Sequence, residues 1–167
     1  MPTIISHRGN VNGPSFMENK KSTLISLLSK GIGIEIDLWK IGDILYITHD
    51  RPNISSENIE LEWLKTNSNN LLIHAKNREV LELLSKHDEF HFFSHENDKY
   101  AFTNRGYIIV FPGVQSISSE KTIIMLPELG TEIPKKCAII CTDFVYNYNQ
   151  FTIDYLAIGS REGAWGL

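Results

Sequence analysis

Histidine, lysine, arginine and carboxylate side chains recur in this chain at the ends of short apolar runs. In chain order, these run ends carry His7-Arg8, Glu35 and Asp37, His49-Asp50, His74 and Lys76, His95-Glu96, Glu128, and Asp143. Histidine transfers protons near neutral pH, carboxylate oxygens bind divalent cations, and arginine or lysine neutralises anions. The chain therefore carries the side chains for acid-base and metal-assisted catalysis.

Glu35 and Asp37 are two carboxylates separated by one residue. In a strand they lie on one face, because strand side chains alternate with a period of two. Two adjacent carboxylates repel each other unless a cation lies between them, and a divalent metal meets that need. An E-x-D pair is more commonly an exposed strand face, but Ile34 and Ile36 on the opposite face favour a buried position here.

The elements that must position these residues follow from the apolar periodicity. Helices are predicted at 18–30 and 78–86, and strands at 3–8, 33–39, 44–50, 70–76, 89–95, 106–111, 122–127 and 137–143. About eight strands with few helices favour an α/β fold, a minimal (β/α)8 TIM-like barrel with several helices missing, since typical barrels need about 200 residues or more. An open α/β sheet is the competing architecture, and both place their sites at the carboxyl ends of parallel strands.

Composition limits the class of protein. The 167 residues, 42% of them hydrophobic, are enough for one domain over 1–167. A formal charge of −4 with scattered Lys and Arg argues against a nucleic-acid partner. The N-terminus lacks a secretory signal pattern, and no apolar run approaches the roughly 20 residues of a membrane span. We expect a cytoplasmic protein, and the sequence indicates no oligomeric state.

Five segments over residues 4–76 together resemble the glycerophosphodiester phosphodiesterase family: HRGN, ENKKSTL, GIEIDLW, THD and IHAK, in this order. Members of that family are metal-dependent barrel enzymes that cleave phosphodiesters. The resemblance implies a phosphoric diester hydrolase of lipid metabolism that acts on a small, glycerophosphodiester-like substrate, with Mg²⁺ or Ca²⁺ as cofactor.

The same resemblance implies roles for individual residues. It indicates His7 and His49 as the acid-base pair, Glu35 and Asp37 as metal ligands, Arg8 and Lys76 as phosphate contacts, and Glu18 and Asn19 as a supporting pair. Two histidines on separate strands can hold opposite protonation states, which suits a general base and a general acid. Which histidine plays which role stays open at this point.

One position departs from the family pattern. His74 stands where the family usually has a carboxylate, two residues before the lysine. If His74 is a ligand, its nitrogen donor favours Mn²⁺ or Zn²⁺. If it is not, Glu128 or Glu96 is the candidate to complete the metal shell.

Two further residues have alternative interpretations. His95 either faces the site or orders a turn together with Asp98. Trp39 lies on the same strand face as Asp37, so it either walls the pocket or, as we favour, packs in the structure.

Two other functions remain open from the sequence. One is a non-catalytic or vestigial phosphate- or metal-binding module, which the short chain and His74 suggest. The other is a lyase, in which a hydroxyl of the substrate attacks the phosphorus, a cyclic phosphate forms and the second alcohol leaves.

Overall fold

The computed structural model describes residues 1–148 of the chain. Its strands are β1 (Thr3–His7), β2 (Gly33–Ile41), β3 (Ile44–Ile47), β4 (Glu57–Ile59), β5 (Leu71–Ala75), β6 (Phe92–Phe93), β7 (Tyr100–Phe102), β8 (Ile108–Val110), β9 (Thr122–Met125) and β10 (Ile139–Thr142). Its α-helices are α1 (Lys21–Leu28), α2 (Leu61–Thr66) and α3 (Arg78–Leu84). Short 3₁₀ turns occupy Ser68–Asn70, Pro127–Leu129 and Val145–Tyr148.

The strands form one mixed sheet. Its parallel neighbours run in the order β6-β5-β2-β1-β10-β9-β8, with β7 antiparallel to β8, β3 antiparallel to β2, and β4 antiparallel to β3. An isolated antiparallel bridge joins Phe93 to Thr103, and the backbone N–H of Asn104 donates to the Phe92 carbonyl at 3.0 Å. The first and last parallel strands within residues 1–148, β1 and β10, are therefore direct neighbours in the sheet.

The two faces of the sheet bury separate apolar clusters. On one face Ile34, Ile36 and Ile73 pack with residues of the three helices. On the other face a second cluster includes Ile5, Leu72, Phe93, Ile123 and Cys141. His7, Glu35 and His74 lie two residues beyond Ile5, Gly33 and Leu72 along their strands, so they continue this second face towards its carboxyl end.

Strand β2 is longer than its parallel neighbours, and this length determines where the chain goes next. Residues Ile34 to Leu38 of β2 pair with β5, whereas Leu38 to Ile41 pair with β3. The chain therefore extends beyond the carboxyl edge of the parallel sheet, turns at Gly42 (φ +59°) and comes back. The return brings the end of β3 to the Asp37 backbone, whose carbonyl accepts the Thr48 N–H at 3.3 Å.

The sequence-based elements of the first half are largely confirmed: strands at 3–8, 33–39 and 70–76, the 44–50 strand in its first half, and the helix at 78–86. The helix predicted at 18–30 is shorter, and the predicted strands at 89–95, 106–111, 122–127 and 137–143 are each trimmed. The expectation of about eight strands was wrong, because the polar connection after His49 contains β4 and α2, and a short strand, β7, precedes the 106–111 run. Strand β9 stops at Met125 because Leu126 adopts a left-handed conformation (φ +46°) before Pro127.

No helix within residues 1–148 has the length and apolar character that crossing a membrane requires.

Candidate active site

A cavity of about 260 Å³ opens at the carboxyl end of the parallel strands. One side of it is polar and the other is apolar. The cavity is lined by His7, Arg8, Glu35, His49, His74, Lys76, Phe93, His95, Glu96, Phe111, Pro112, Met125 and Leu126. Most of the sequence-predicted site residues thus meet around one small space.

Asp37 is the centre of the polar side. Its Oδ2 is 2.8 Å from Arg8 Nε and accepts from Asn19 Nδ2 at 3.0 Å. Its Oδ1 is 3.0 Å from His74 Nδ1 and 3.5 Å from Lys76 Nζ. Burial works against ionisation of Asp37, but the hydrogen bond with His74 and the charge of Arg8 lower the pKa of this carboxyl well below its ordinary value. Asp37 is therefore an ionised, fully engaged carboxylate.

The chain adopts an unusual backbone conformation where it delivers Arg8 and Asn19 to Asp37. Both residues have positive φ, +55° for Arg8 and +54° for Asn19. Arg8 N–H donates to the Glu35 carbonyl at 2.9 Å, and Asn19 N–H donates to the Arg8 carbonyl at 2.8 Å. Left-handed backbone costs about 1–3 kcal/mol at such residues and persists where the surroundings enforce it, typically at functional sites.

Glu35 and His74 are buried, and each presents an unused polar atom. Among the described residues, Glu35 Oε2 and His74 Nε2 have no hydrogen-bond partner. Burial and the charge of Asp37 raise the pKa of the Glu35 carboxyl. A carboxylate only accepts hydrogen bonds, so His74 donates through Nδ1 to Asp37, and Nε2 is the ring nitrogen left without a partner.

The residues present fit a metal ion. Glu35, Asp37 and His74 each offer a ligand atom, and these atoms lie within 4.8 Å of one another. The two unused buried atoms are an oxygen and a nitrogen, both of which are donors to divalent metals. A cation there would satisfy the Glu35 carboxylate, whose burial is otherwise costly.

His7 forms a second histidine-carboxylate pair. Its Nδ1 is 2.8 Å from Asp143 Oδ1, and its Nε2 is 3.9 Å from Glu35 Oε2. Burial works against protonation of His7, but the hydrogen bond with Asp143 and the charge of Glu35 prevail and raise the pKa of the imidazole. Because Nδ1–H donates to the Asp143 carboxylate, the neutral form of the His7 ring has its lone pair on Nε2.

His49 reaches the cavity by an unexpected route. The sequence-based picture treated 44–50 like the parallel strands, with His49 at a carboxyl edge. Strand β3 is antiparallel to β2, so His49 arrives at the site because the overlong hairpin returns there. It is exposed, and its Nδ1 is 2.9 Å from Asp50 Oδ1.

An aromatic stack forms the other wall. His95 lies between His74 and Phe111, with ring centroids 4.7 Å and 3.9 Å away, and Phe93 stacks on His74 at 4.7 Å. Burial and the charges of His74 and Lys76 lower the pKa of His95 to about 4, so this ring is neutral at physiological pH. His95 therefore faces the cavity, while Asp98 orders the adjoining turn by accepting from Glu96 N–H at 3.2 Å.

Three predicted supporting residues lie just outside the cavity lining. Glu18 accepts from Asn10 Nδ2 at 2.8 Å and is 3.5 Å from Arg8 Nη1. Trp39 donates from Nε1 to the Thr48 carbonyl at 3.1 Å and so braces the β2–β3 hairpin. Glu128 accepts from Asp143 N–H at 2.8 Å and from Thr142 Oγ1 at 3.0 Å. Its carboxylate thus supports the loop that carries Asp143.

Sequence reasoning assigned no role to Asp143 or Asn10. Asp143 stands at the end of a predicted strand, and Asn10 closes the HRGN segment. Asn10 Nδ2 donates to the same Asp143 Oδ1 that His7 contacts, at 2.8 Å. The signal for Asp143 was its position at the end of a strand. Its partner, His7, is set by the pairing of β1 with β10, which no local sequence pattern reveals.

This fold is similar to the crystal structure of a glycerophosphoryl diester phosphodiesterase from Parabacteroides distasonis ATCC 8503. The two share 14% sequence identity at a TM-score of 0.56, over 99% of this chain and 90% of that chain. The sequence itself matches no protein-family model and no curated protein. At this identity the likeness establishes a common fold, and the activity has to be argued from the site.

Proposed function

We propose that this chain is a metal-dependent phosphodiesterase. One observation carries the proposal: two histidines, two cationic side chains, and Glu35 and His74 of the Glu35–Asp37–His74 cluster line a single small cavity. Cleavage of a phosphodiester requires all three kinds of group, because a proton must be removed, a proton must be given and anionic charge must be stabilised. The structural likeness to a glycerophosphoryl diester phosphodiesterase supports the same reaction class.

Arg8 and Lys76 are the phosphate contacts in this proposal. Both line the cavity, and both are held in place by the buried Asp37 carboxylate. Charge-assisted hydrogen bonds from guanidinium and ammonium groups to phosphate oxygens are strong and orient the phosphate. A divalent cation at the Glu35–His74 side would supply further stabilisation of developing negative charge.

His7 is the general base, and His49 is the general acid. The Nε2 lone pair of His7 faces the cavity beside Glu35, so it can accept a proton from the attacking water molecule. His49 lies at the exposed mouth with Asp50 as its partner, where the leaving alcohol would depart. There His49 donates the proton that converts the leaving oxygen to a free hydroxyl.

The substrate in this proposal is a small phosphodiester of the glycerophosphodiester kind. A cavity of about 260 Å³ lies at the low end of ligand pockets, which span roughly 300–1,000 Å³. The apolar wall of Phe93, Phe111 and Met125 faces one of the two alcohol groups. The phosphate is placed against the opposite, cationic side.

The fold that we propose for this site is a minimal barrel within the described residues 1–148. Two contacts support closure: the Phe93–Thr103 bridge, and the hydrogen bond between Asn104 and Phe92. They connect β6 to the hairpin of β7 and β8, so the strand pairings return to β1 through β9 and β10. A ring of this kind gives the second face of the sheet an enclosed interior. We expect the protein to act in the cytoplasm.

The test is hydrolysis of an aryl phosphodiester and of glycerophosphodiesters by the full chain with Mg²⁺, Ca²⁺, Mn²⁺ or Zn²⁺. His7→Gln and His49→Gln should each lower the metal-dependent rate by about 10²-fold to 10⁴-fold. His87→Gln is the matched control, because His87 contacts Glu89 outside the cavity lining. Unchanged rates in His7→Gln would overturn the proposal, as would phosphate binding without turnover of any diester.

Phosphorus NMR of the product separates hydrolysis from the lyase route. An acyclic phosphomonoester formed directly supports the hydrolase. Accumulation of a cyclic phosphate contradicts attack by water, because the nucleophile would then be a hydroxyl of the substrate.

A further inference from the structure

The buried Asp37 carboxylate is contacted by four side chains, through two hydrogen bonds and two ion pairs. A carboxylate accepts about four hydrogen bonds, two on each oxygen. Arg8 Nε and Asn19 Nδ2 contact Oδ2 at 2.8 Å and 3.0 Å, and His74 Nδ1 and Lys76 Nζ contact Oδ1 at 3.0 Å and 3.5 Å. A metal that bound Asp37 directly would compete with the hydrogen bonds from Asn19 and His74 and with the positive charges of Arg8 and Lys76.

Glu35 and His74, by contrast, each have a buried polar atom without a hydrogen-bond partner among the described residues. These atoms are Glu35 Oε2 and His74 Nε2. Both residues line the same cavity. Buried polar atoms without partners are rare in folded proteins and mark a missing ligand, ion or water.

The hydrogen bond between His74 and Asp37 is the arrangement that prepares a histidine for a metal. A ligating histidine commonly donates its other ring N–H to a carboxylate, which fixes the tautomer and raises the basicity of the free nitrogen. His74 Nδ1 and Asp37 Oδ1 meet at 3.0 Å. Nε2 is the ring nitrogen left without a partner, and His74 and Glu35 line the same cavity.

We propose that the metal is bound directly by Glu35 Oε2 and His74 Nε2, that Asp37 is a positioning residue for His74, and that this oxygen–nitrogen pair selects Zn²⁺, then Mn²⁺, over Mg²⁺ and Ca²⁺. Mg²⁺ and Ca²⁺ prefer oxygen ligands alone, whereas imidazole suits Zn²⁺ and other transition metals. This assignment rests on the metal centre of the proposed function, but not on the reaction. Its test therefore measures binding without substrate.

The first experiment is calorimetric titration of the chelator-treated full chain with each of the four metals. Zn²⁺ should bind at least about 100-fold more tightly than Mg²⁺ or Ca²⁺. In His74→Glu, which supplies an oxygen ligand in place of the nitrogen, this preference should fall by about 10-fold or more. Equal affinity of the wild type for Ca²⁺ and Zn²⁺, or no binding of any of the four, overturns the proposal.

A spectroscopic signature separates ligation by His74 from a merely structural role. Electron spin echo envelope modulation of bound Mn²⁺ should show directly bonded ¹⁴N in the wild type, and this signal should be lost in His74→Gln. His7→Gln is the matched control and should retain it, because the proposal leaves His7 outside the coordination shell. A signal that survives in His74→Gln, or disappears in His7→Gln, overturns the assignment.

Asp37→Asn tests the positioning role, because the amide still offers an oxygen to His74 Nδ1. Loss of a supporting partner of a metal ligand typically costs 10-fold to 100-fold in affinity, and the ¹⁴N signal should persist. Loss of all Zn²⁺ binding, with circular dichroism unchanged, would make Asp37 a direct ligand and overturn that part. Zinc binding without diester cleavage would support this metal assignment and contradict the proposed function. Diester cleavage that requires Ca²⁺ alone would support the proposed function and contradict this metal assignment.

Discussion

Nδ1 of His7 lies 2.8 Å from Oδ1 of Asp143, across 136 positions of the sequence. Parallel pairing of β1 with β10 places these residues side by side, because Ser6 is in register with Thr142. Asp143 is fixed in turn, since its N–H donates to Glu128 Oε1 at 2.8 Å. The orientation of His7 therefore depends on Asp143, at the end of β10.

Asp143→Asn should lower the phosphodiesterase rate by about 10²-fold, because His7 loses the partner that fixes its tautomer. The hydrogen bond with Asp143 contributes to the raised pKa of His7, so its removal lowers that pKa. The acidic limb of the kcat/KM profile, where a base must lose its proton, should then move to lower pH. The measurement is a pH–rate profile with exposed Asp43→Asn as control. An unshifted limb would contradict the role of the pair.

Arg8→Lys should lower kcat/KM by about 10²-fold through misplacement of the phosphate. Arg8 contacts Asp37 through Nε at 2.8 Å and Glu18 through Nη1 at 3.5 Å. A lysine ammonium is a single point charge and does not reproduce this fork. Steady-state kinetics would compare it with Arg78→Lys, whose side chain is exposed on α3. Equal kinetics in the two variants would mean that only the charge of Arg8 matters.

His91 should make the protein less stable in acid. Burial and the charge of Arg105 lower the pKa of His91 from 6.5 to about 3. Between these values the unfolded chain binds a proton that the folded chain does not, so stability falls as the pH falls through this window. The slope is about 1.4 kcal/mol per pH unit for one proton.

In the wild type, His91 Nε2 lies 2.9 Å from Thr103 Oγ1. The matching variant is His91→Gln, whose side-chain amide still offers Thr103 a hydrogen-bond partner but does not titrate. Urea unfolding at pH 7, 6, 5 and 4 should show the wild type losing stability relative to this variant. Parallel pH dependences of the two proteins would rule out His91 as the source.

Gly9→Ala should destabilise the fold more than Gly113→Ala. Both glycines have positive φ, +93° and +75°, so both substitutions carry backbone strain of about 1–2 kcal/mol. At Gly9 an added Cβ would also lie 3.1 Å from Thr23 Cγ2, whereas nothing lies within 4 Å at Gly113. Thermal unfolding of the two variants measures the difference. Equal shifts in Tm would show that crowding against Thr23 is relieved freely.

The first half of the chain could be predicted from sequence because its signals are local. The apolar runs before His7, Asp37 and His74 are long enough to show strand patterns, and α3 is preceded by the N-cap residue Asn77, whose side chain accepts from Val80 N–H. Chemistry-bearing residues at the ends of these runs converge because parallel strands end at one edge.

The remaining features depend on contacts that no local pattern encodes. Helix α2, at six residues, and strand β7, at three, are shorter than the windows over which periodicity shows. The arrival of His49 depends on how far β2 extends before its hairpin turns. The engagement of Asp37 by four donors, and hence the distinction between ligand and support, depends on side-chain directions that spacing does not give.

Because β1 pairs with β10, the site is complete only after both strands have been synthesised. During synthesis, the segments up to residue 76 leave the ribosome well before Asp143 has been translated. A nascent chain therefore displays most of the chemical groups while His7 still lacks its carboxylate. Premature termination before residue 143 would leave His7 without this carboxylate partner.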